Sequence, residues 1–444
     1  MTADPNVPDV RYARSGGVAI AYQRVGDGPP VVYAPHLCTI DALWEGKRSG
    51  PFLRRLAERV QLIVFNPRGT GLSDRPTGVT LESRMDDIAN VLDAEDLERV
   101  TLFGVAESAN ACLLFASTYP ERCARLILYT PYPALGAEES DVASMVKETR
   151  DRWGDRAYME GFADEINPAY RGDPELLEWF IRMQRAAASP RTAADFVRMQ
   201  LDTDIGHVLG SVRVPTTVVA LTADDDEMGS AGPRAVADAL PNATLVTFPG
   251  NNIDPYSRAD DMVDLIDRAA HEQDLAAVPD SILATLLFTD LTDSTVLAAE
   301  MGDTAWRRTL AEHHGDVRRD LARYRGIEVD TAGDGFLCRF DGPARAIGCA
   351  SAIVEQARTR GLEVRAGVHT GECEMVGDKP AGIAVHIGAR VLSAARPGEV
   401  LVSRTVRDLV AGSGYVFDDR GDHDLKGVPG SWQLFAVAGH SSGT

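Results

Sequence analysis

The chain lacks several features that define common classes of protein. It has no apolar run near the length of a membrane span, and its first residues lack the basic and apolar regions of a signal peptide. Its six cysteines show no Cys-x-x-Cys spacing and lie mostly in apolar surroundings, so we expect reduced thiols in a cytoplasmic protein. The net charge of −21 argues against a nucleic-acid partner, because phosphate binding needs clustered lysine and arginine. We likewise expect no membrane partner.

What is present is typical of a soluble globular protein. Apolar residues make up 44% and charged residues 25% of a chain of 444 residues, a length that is natural for two domains. Residues 258–277 have the pattern of an acidic helix, which the segment Val278–Asp280 ends at its proline. We therefore predict one domain over residues 1–277 and a second over residues 281–438.

The first half alternates short apolar runs with stretches of helical periodicity. Such alternation predicts an α/β domain in which a parallel sheet carries helices on both faces. A polar helical insertion, at about residues 136–208, follows the fourth run. The predicted buried strands are Pro30–Ala34, Gln61–Phe65, Arg99–Phe103, Leu126–Tyr129, Thr216–Leu221 and Thr244–Phe248.

The second half is shorter and mixes strands, helices and a hairpin. The periodicity of its apolar residues changes between that of strands and that of helices. The predicted order is a strand at 282–289, long helices over 296–325, a hairpin at 327–340, a helix at 343–360, a strand at 362–369, a helix at 382–396 and a strand at 399–403.

Two aspartates in this half lie at the edges of apolar, strand-prone runs. Asp290 follows the run Ile282–Phe288, and Asp334 lies in a glycine-rich turn before Phe336–Phe340. Carboxylates from neighbouring strands can hold Mg²⁺ or Mn²⁺ against a triphosphate. Taken alone, the second stretch is equally compatible with a solvated Asp-Gly turn of a β-hairpin.

Together, in this order, the two stretches resemble the metal-binding motifs of class III nucleotidyl cyclases, and the resemblance runs from about Ser281 to Val437. It implies an α+β, ferredoxin-like domain that converts ATP to cyclic AMP and pyrophosphate with two Mg²⁺ or Mn²⁺ ions per active site. The implied metal ligands are Asp290, Asp334 and the carbonyl of Leu291. Backbone N–H groups at the start of the following helix are implied to bind phosphate oxygens; they belong to Leu291, Thr292, Asp293, Ser294 and Thr295.

The same resemblance assigns roles to a helix and a turn further along. Arg390 matches the arginine that stabilises charge on the α-phosphate, and His386 replaces the asparagine one helical turn before it. Lys426 matches the lysine that binds the terminal phosphates, although a solvated surface lysine in a turn is an alternative. The family forms its sites at a head-to-tail dimer interface, so a homodimer is implied.

The residues that read the base are exchanged relative to adenylyl cyclases. Where that family has a lysine and an aspartate, this chain has Asp330 and Lys379. With swapped roles, Asp330 would accept from the adenine amino group while Lys379 donates to a ring nitrogen. The same pair could serve guanine after a shift, or form no more than a surface ion pair. ATP is favoured by the family context alone.

The first half resembles the α/β-hydrolases of the esterase and epoxide-hydrolase kind, with its catalytic residues missing. The segment FNPRGTGLSD at 65–74 and the run Val100–Ala116 carry the resemblance. Ala106 stands at the nucleophile position and Ile253 at that of the histidine, which leaves a degenerate site. An acid at residues 224–226 would have no serine or histidine to orient. Ser108 is disfavoured as a displaced nucleophile, because helix geometry would point its hydroxyl elsewhere and no histidine is evident to activate it.

Two classes of function follow from these observations. The first is an adenylyl cyclase tuned by a pseudo-hydrolase domain, whose pocket under the 136–208 segment binds a small apolar ligand. The second is a pseudo-hydrolase sensor fused to a weak or inactive cyclase domain, with a guanylyl cyclase as a further alternative. A purely structural role of the first half in dimerisation is also open. The order of the domains resembles actinobacterial hydrolase–cyclase fusion proteins.

Overall fold

The computed structural model describes residues 7–15, 17–134, 139–222, 227–250, 253–272 and 281–440. The chain divides into two compact units, Met1–Pro279 and Asp280–Thr444. The segment Val278–Asp280 and the acid candidates at 224–226, both named above, lie outside the described residues.

The first unit contains an eight-stranded sheet in the order β1-β2-β4-β3-β5-β6-β7-β8. The six strands from β3 onward pair in parallel, as predicted, whereas β1 and β2 add an antiparallel edge. The central strands are apolar and fully buried because helices cover both faces of the sheet. The strands are β1 Arg11–Ser15, β2 Val18–Val25, β3 Pro30–Ala34, β4 Gln61–Phe65, β5 Val100–Val105, β6 Cys123–Tyr129, β7 Thr216–Thr222 and β8 Ala243–Pro249.

Ten α-helices surround this sheet in the described part of the unit. The predicted insertion after β6 folds as four of them, and Asp173 and Ser189 cap two of these with side-chain hydrogen bonds ahead of a proline at the first turn. The helices are α1 Ile40–Glu45, α2 Ser49–Ala57, α3 Leu81–Ala94, α4 Ser108–Thr118, α5 Glu139–Arg152, α6 Arg156–Ile166, α7 Pro174–Ala187, α8 Pro190–Asp202, α9 Glu227–Ala239 and α10 Ala259–His271, with 3-10 turns at Pro120–Arg122, Pro168–Gly172, Gly206–Ser211 and Pro255–Arg258.

The second unit contains a sheet in the order β10-β11-β9-β12-β14-β16-β15, with β13 paired to β12. Among the described strands of this unit, only β12 and β14 pair in parallel; the other neighbours are antiparallel. The strands are β9 Ser281–Leu291, β10 Ile327–Ala332, β11 Gly335–Phe340, β12 Val364–Val376, β13 Lys379–Ala381, β14 Val400–Ser403, β15 Tyr415–Asp424 and β16 Ser431–His440.

Two glycines let one helix of this unit lie close to the sheet. A Cβ added at Gly367 on β12 would lie 2.3 Å from the backbone nitrogen of Leu392, and one at Gly388 would lie 2.6 Å from the ring of Phe288. The backbones of α14 and the sheet therefore approach each other closely, which fixes the helix beside β9. The helices are α11 Ser294–Met301, α12 Asp303–Arg323, α13 Pro343–Thr359, α14 Ile383–Ala394 and α15 Arg404–Leu409.

None of the helices in the described ranges is both long and apolar enough to cross a membrane. All six cysteines are buried free thiols. Burial raises the pKa of each of them, Cys112 to about 12, so they pack as small apolar side chains.

Candidate active site

Asp290 lies near the end of β9, directly opposite Arg365 on β12. Arg365 donates to one carboxylate oxygen of Asp290 twice, from Nη2 at 2.7 Å and from Nε at 3.2 Å, and both bonds fall on Oδ2. These two bonds fix the orientation of the Asp290 carboxylate, and its other oxygen, Oδ1, takes part in neither of them.

The turn between β10 and β11 brings Asp334 beside Asp290. Gly333 has a φ of +66°, a conformation that favours glycine. A Cβ added at Gly335 would lie 3.0 Å from the carbonyl oxygen of Thr289 and 3.8 Å from Oδ1 of Asp290. Among the described residues, Oδ2 of Asp334 is buried and has no hydrogen-bond partner. The turn thus places a second carboxylate at the end of β9, with one of its oxygens unsatisfied.

Helix α12 holds the hairpin that carries this turn. Arg318 makes two 2.8 Å bonds to the carboxylate of Glu328, which also accepts from Thr331 Oγ1 at 2.7 Å. These donors lower the pKa of Glu328 to about 2. His314 packs against the edge of Phe336, with their ring centroids 4.9 Å apart. The position of Asp334 is therefore set by contacts from a neighbouring helix as well as by the turn.

The donor set fits a hard divalent cation. Asp290, near the end of β9, and Asp334, in the turn that leads into the adjacent β11, lie at the same end of the sheet. The buried oxygen of Asp334, which has no partner among the described residues, would be costly unless a cation or water satisfied it. Carboxylate oxygens are the ligands that Mg²⁺ and Mn²⁺ prefer. Leu291, the third predicted ligand, is the last residue of β9 and its side chain is buried.

One of the five backbone N–H groups predicted to bind phosphate is already hydrogen-bonded within the sheet. The N–H of Thr292 already donates to the carbonyl of Glu363 at 2.8 Å, so this group is occupied by the sheet. Asp293 has a φ of +55° and precedes α11, and its carbonyl accepts from Val296 and Leu297. The N–H groups of Leu291, Asp293, Ser294 and Thr295 therefore remain as the candidates for phosphate binding.

His386 and Arg390 lie one turn apart on α14, and both side chains are exposed. Lys426 is exposed in the turn between β15 and β16. Within the described chain, none of the three forms a hydrogen bond or ion pair with Asp290, Asp334 or the base-reading candidates. Their polar groups are available to a ligand or to a second copy of the chain.

Asp330 and Lys379 are brought together by the fold. The two lie on β10 and β13, at an Nζ–Oδ1 distance of 3.5 Å, with 62% and 63% of their side chains exposed. Both charges belong to the same unit, as the family resemblance requires for a base-reading pair. Their exposure also agrees with the simpler interpretation, a surface ion pair.

In the first unit, Ala106 occupies a sharp turn between β5 and α4. Its φ is +50°, and its N–H donates to the carbonyl of Tyr129 at 2.9 Å. A left-handed conformation costs a residue with a Cβ roughly 1–2 kcal/mol. This is the strained turn that exposes a nucleophile in hydrolases, here carrying a methyl group.

Ser108 and Ile253, the two other residues of the degenerate hydrolase site, both form hydrogen bonds to the backbone. Ser108 is buried at the start of α4, and its hydroxyl donates to the carbonyl of Pro35 at 2.8 Å. Ile253 lines a cavity, and its N–H bonds to the carbonyl of Ile166 at 2.9 Å. The hydroxyl of Ser108 is therefore engaged with the backbone.

One residue of this cavity was missed by sequence reasoning. His36, two residues after the end of β3, lies with its Nδ1 2.5 Å from Oε2 of Glu107, the residue after Ala106. Its Nε2 is buried without a partner among the described residues. The only signal in the sequence is a histidine at the carboxyl end of a buried strand, where the ligands of α/β folds bind.

Comparisons with known proteins find a match for part of each half of the chain. A family model described as the adenylate and guanylate cyclase catalytic domain matches residues 280–439, and one described as the alpha/beta hydrolase fold matches residues 29–213. The predicted fold class is thereby confirmed for each half.

Individual relatives cover one half each. The chain is 26% identical over 248 residues to a 2-(acetamidomethylene)succinate hydrolase of Mesorhizobium japonicum, a match that spans 53% of this chain and 85% of that protein. An enol-lactonase structure from Burkholderia xenovorans LB400 matches with a TM-score of 0.53 at 19% identity, covering 59% of this chain and 100% of that one. A structure of adenylate cyclases from Trypanosoma brucei in their monomeric state matches at 26% identity and a TM-score of 0.32, over 37% and 90% of the two chains.

Proposed function

We propose that this chain, which joins an α/β-hydrolase-fold domain to a class III nucleotidyl cyclase catalytic domain, converts ATP to 3′,5′-cyclic AMP and pyrophosphate. The observation that carries the proposal is the placement of Asp290 and Asp334 at the same end of two adjacent strands, together with the buried oxygen of Asp334 that has no partner among the described residues. In a purely structural hairpin turn, a buried unpaired carboxylate oxygen would only destabilise the fold. In a cation site, the bound cation would satisfy that oxygen.

Bound Mg²⁺ or Mn²⁺ ions, two per site, would activate the ribose 3′-hydroxyl and neutralise phosphate charge. The remaining requirements fall to residues of the chain. Arg390 is suited to stabilise negative charge on the α-phosphate, with His386 as a second donor one turn away. Lys426 is suited to bind the terminal phosphates, together with the free N–H groups at the start of α11.

Arg365 joins this set because of its contact with Asp290. Its guanidinium lies 2.7 Å from the carboxylate of Asp290 and so places a positive charge beside the proposed cation site. We propose two roles for Arg365: its guanidinium orients the carboxylate of Asp290, and it contacts the triphosphate.

We further propose that two copies build each site. Asp290 and Asp334 of one copy would meet Arg390, Lys426 and the Asp330–Lys379 pair of the other, which form no contact with those aspartates within one described chain. One chain carries both sets of residues, so a homodimer would contain two equivalent sites.

The Asp330–Lys379 pair is proposed to read the base, and its removal gives a testable result. We expect Asp330→Ala and Lys379→Ala each to lower kcat/KM for ATP by roughly tenfold or more, since each leaves a charge unpaired against a desolvated base. The double exchange Asp330→Lys with Lys379→Asp should keep or raise that value. Steady-state kinetics with ATP and GTP measure both effects. If both single variants behaved like wild type toward both nucleotides, Asp330 and Lys379 would form a surface ion pair that does not read the base.

The Asp330–Lys379 pair could also bind guanine, so the choice between ATP and GTP is tested directly. The test is cyclic-nucleotide formation by the purified chain with Mn²⁺ and either nucleotide. We expect cyclic AMP to predominate; predominance of cyclic GMP would identify a guanylyl cyclase.

For the first domain we propose a ligand-binding role without hydrolysis. Ala106 has no nucleophilic atom and Ile253 cannot accept a proton, so p-nitrophenyl esters should not be hydrolysed at an enzyme-like rate. Release of p-nitrophenolate measures this. Ala106→Ser, which restores only the hydroxyl, is the matched variant and should remain inactive. Wild-type hydrolysis that disappears in Ser108→Ala would contradict the proposal.

A further inference from the structure

Strand β10, which carries Asp330, is interrupted by a β-bulge. Glu328 lies opposite Cys338 of β11 and Asp330 lies opposite Leu337, so two steps along β10 correspond to one step along β11. Val329 is the additional residue, without an opposite residue on the described strand β11. Because side chains alternate between the two faces of a strand, one additional residue reverses the alternation from that point onward.

The bulge places Glu328 and Asp330 on opposite faces of the sheet. Opposite residues of an antiparallel pair share a face. Glu328 therefore shares the face of Cys338, which belongs to the core that packs against α12. Asp330 shares the face of Leu337, which packs against a cluster containing Ala384 of α14. In a regular strand, residues two apart share a face, so Asp330 would lie on the α12 side.

The contact between Asp330 and Lys379 depends on this reversal. Nζ of Lys379 is 3.5 Å from Oδ1 of Asp330, and Lys379 lies four residues before the first residue of α14. Without the bulge, the carboxylate of Asp330 would be on the other face of the sheet from its partner. The proposed base-reading pair therefore exists because β10 is bulged.

Three residues hold the bulge from the α12 side. Glu328 precedes Val329 and Thr331 follows it, and the hydroxyl of Thr331 donates to Oε1 of Glu328 at 2.7 Å. Residues three apart lie on opposite faces of a regular strand, so the bulge is what allows this bond. Arg318 of α12 donates to both oxygens of the same carboxylate, from Nε and from Nη2 at 2.8 Å each. We call Arg318, Glu328 and Thr331 the bulge clamp.

The bulge clamp supplies geometry more than stability. The side chains of Arg318 and Glu328 are 52% and 30% exposed, and an ion pair so accessible to water adds little to the stability of a fold. Two parallel N–H···O bonds nevertheless fix the orientation of a carboxylate. The tight turn at Gly333 sets the pairing of β10 with β11 on one side of Asp330, and the bulge clamp sets it on the other.

We infer that the bulge clamp positions the base reader: by holding the bulge at Val329, it keeps Asp330 beside Lys379 and so sets the preference for one base over the other. This role rests on the proposed reading of the base by the Asp330–Lys379 pair. The members of the bulge clamp lie on the other face of the sheet and act through Asp330, without touching the base themselves.

The test is calorimetric titration of the full-length chain, in Mn²⁺, with 3′-deoxy-ATP and 3′-deoxy-GTP. Both nucleotides lack the hydroxyl that would attack in cyclisation, so they report binding without turnover. We expect wild type to bind one of them at least about tenfold more tightly than the other. Glu328→Ala and, independently, Thr331→Val should each lower that preference at least about threefold. Thr331→Ser, which keeps the hydroxyl, should retain the wild-type preference.

A merely structural role of the bulge clamp would weaken the binding of both nucleotides alike and leave the preference unchanged. Arg358→Ala is the matched control, because it breaks another exposed arginine–glutamate pair of this domain, with Glu355 at 3.1 Å on α13. It should keep the wild-type preference. In an Asp330→Ala background, where no reader remains to be positioned, Glu328→Ala should change neither affinity by more than about twofold.

Three results would overturn the inferred role. They are an unchanged preference in a folded Glu328→Ala or Thr331→Val variant, a clear further loss from Glu328→Ala in the Asp330→Ala background, and a wild type that shows no preference or binds neither nucleotide. If Glu328→Ala does not fold by circular dichroism, Thr331→Val still decides.

These outcomes are separate from the fate of the cyclase proposal. A preference that depends on the bulge clamp, in a protein that forms no cyclic nucleotide, would refute the cyclase proposal alone. Formation of cyclic AMP with a preference that ignores the bulge clamp would refute the positioning role alone. If Asp330→Ala and Lys379→Ala both kept the wild-type preference, base reading by the pair and its positioning by the bulge clamp would be refuted together.

Discussion

Asp334→Ala should abolish cyclic-nucleotide formation while leaving the protein as stable as wild type or more stable. Activity should be lost because the substitution removes one of two convergent carboxylates from the proposed cation site. Stability should not fall because the removed carboxylate has a buried oxygen without a partner, a feature that costs a folded protein about 1–3 kcal/mol. Cyclase assays in Mn²⁺ and thermal unfolding without metal measure the two effects.

Asp290→Ala should be equally inactive but at a small cost in stability. It breaks the ion pair with Arg365, whose side chain is 34% exposed beside a carboxylate that is 31% exposed. Water replaces much of such a contact, so the loss should be no more than about 1 kcal/mol. Asp422→Ala, which removes an exposed aspartate from β15, is the matched control and should retain full activity. Retention of more than a small fraction of turnover by either Asp290→Ala or Asp334→Ala would show that the cation site is misassigned.

Mixing two inactive variants should restore activity if two copies build each site. Asp334→Ala and Arg390→Ala lie in different sets of the proposed site, so a mixed dimer has one site with both lesions and one with neither. Random pairing of equal amounts makes about half of the dimers mixed, each with one intact site, and so predicts about a quarter of wild-type activity for the unseparated mixture and about half for mixed dimers isolated from it. Co-expression with two affinity tags, followed by purification through both, provides the measurement.

The matched control is a mixture of Asp290→Ala and Asp334→Ala, whose lesions fall in the same set. Every dimer of that mixture should remain inactive. Inactive Asp334→Ala and Arg390→Ala mixtures, with mixed dimers demonstrated by both tags, would argue that each site is built within one chain.

The parts of the fold that could be predicted are those in which burial dictates the residue pattern. The strands Pro30–Ala34 and Gln61–Phe65 have the predicted bounds because short apolar runs in a parallel sheet are buried on both faces. Edge strands were missed for the opposite reason. β1 is largely exposed, and β15 is charged through most of its length, so neither shows the periodicity of a strand.

The candidate site divides in the same way. Asp290, Asp334 and Arg390 could be proposed from short motifs, because the residues next to them in sequence are enough to indicate their roles. Arg365 and His36 could not be proposed in this way, because each is distinguished by a contact with a residue far away in sequence, 75 positions for Arg365 and 71 for His36. Only a three-dimensional structure shows that Arg365 faces Asp290 and that His36 faces Glu107.

The most direct test of the central claim is the stoichiometry of the products formed from ATP by the purified chain in Mn²⁺. The account predicts cyclic AMP and pyrophosphate in equal amounts, measured by chromatography and a coupled pyrophosphate assay, and neither product from Asp334→Ala. The claim would be contradicted if wild type formed no cyclic AMP from ATP, or if Asp334→Ala formed it at the same rate.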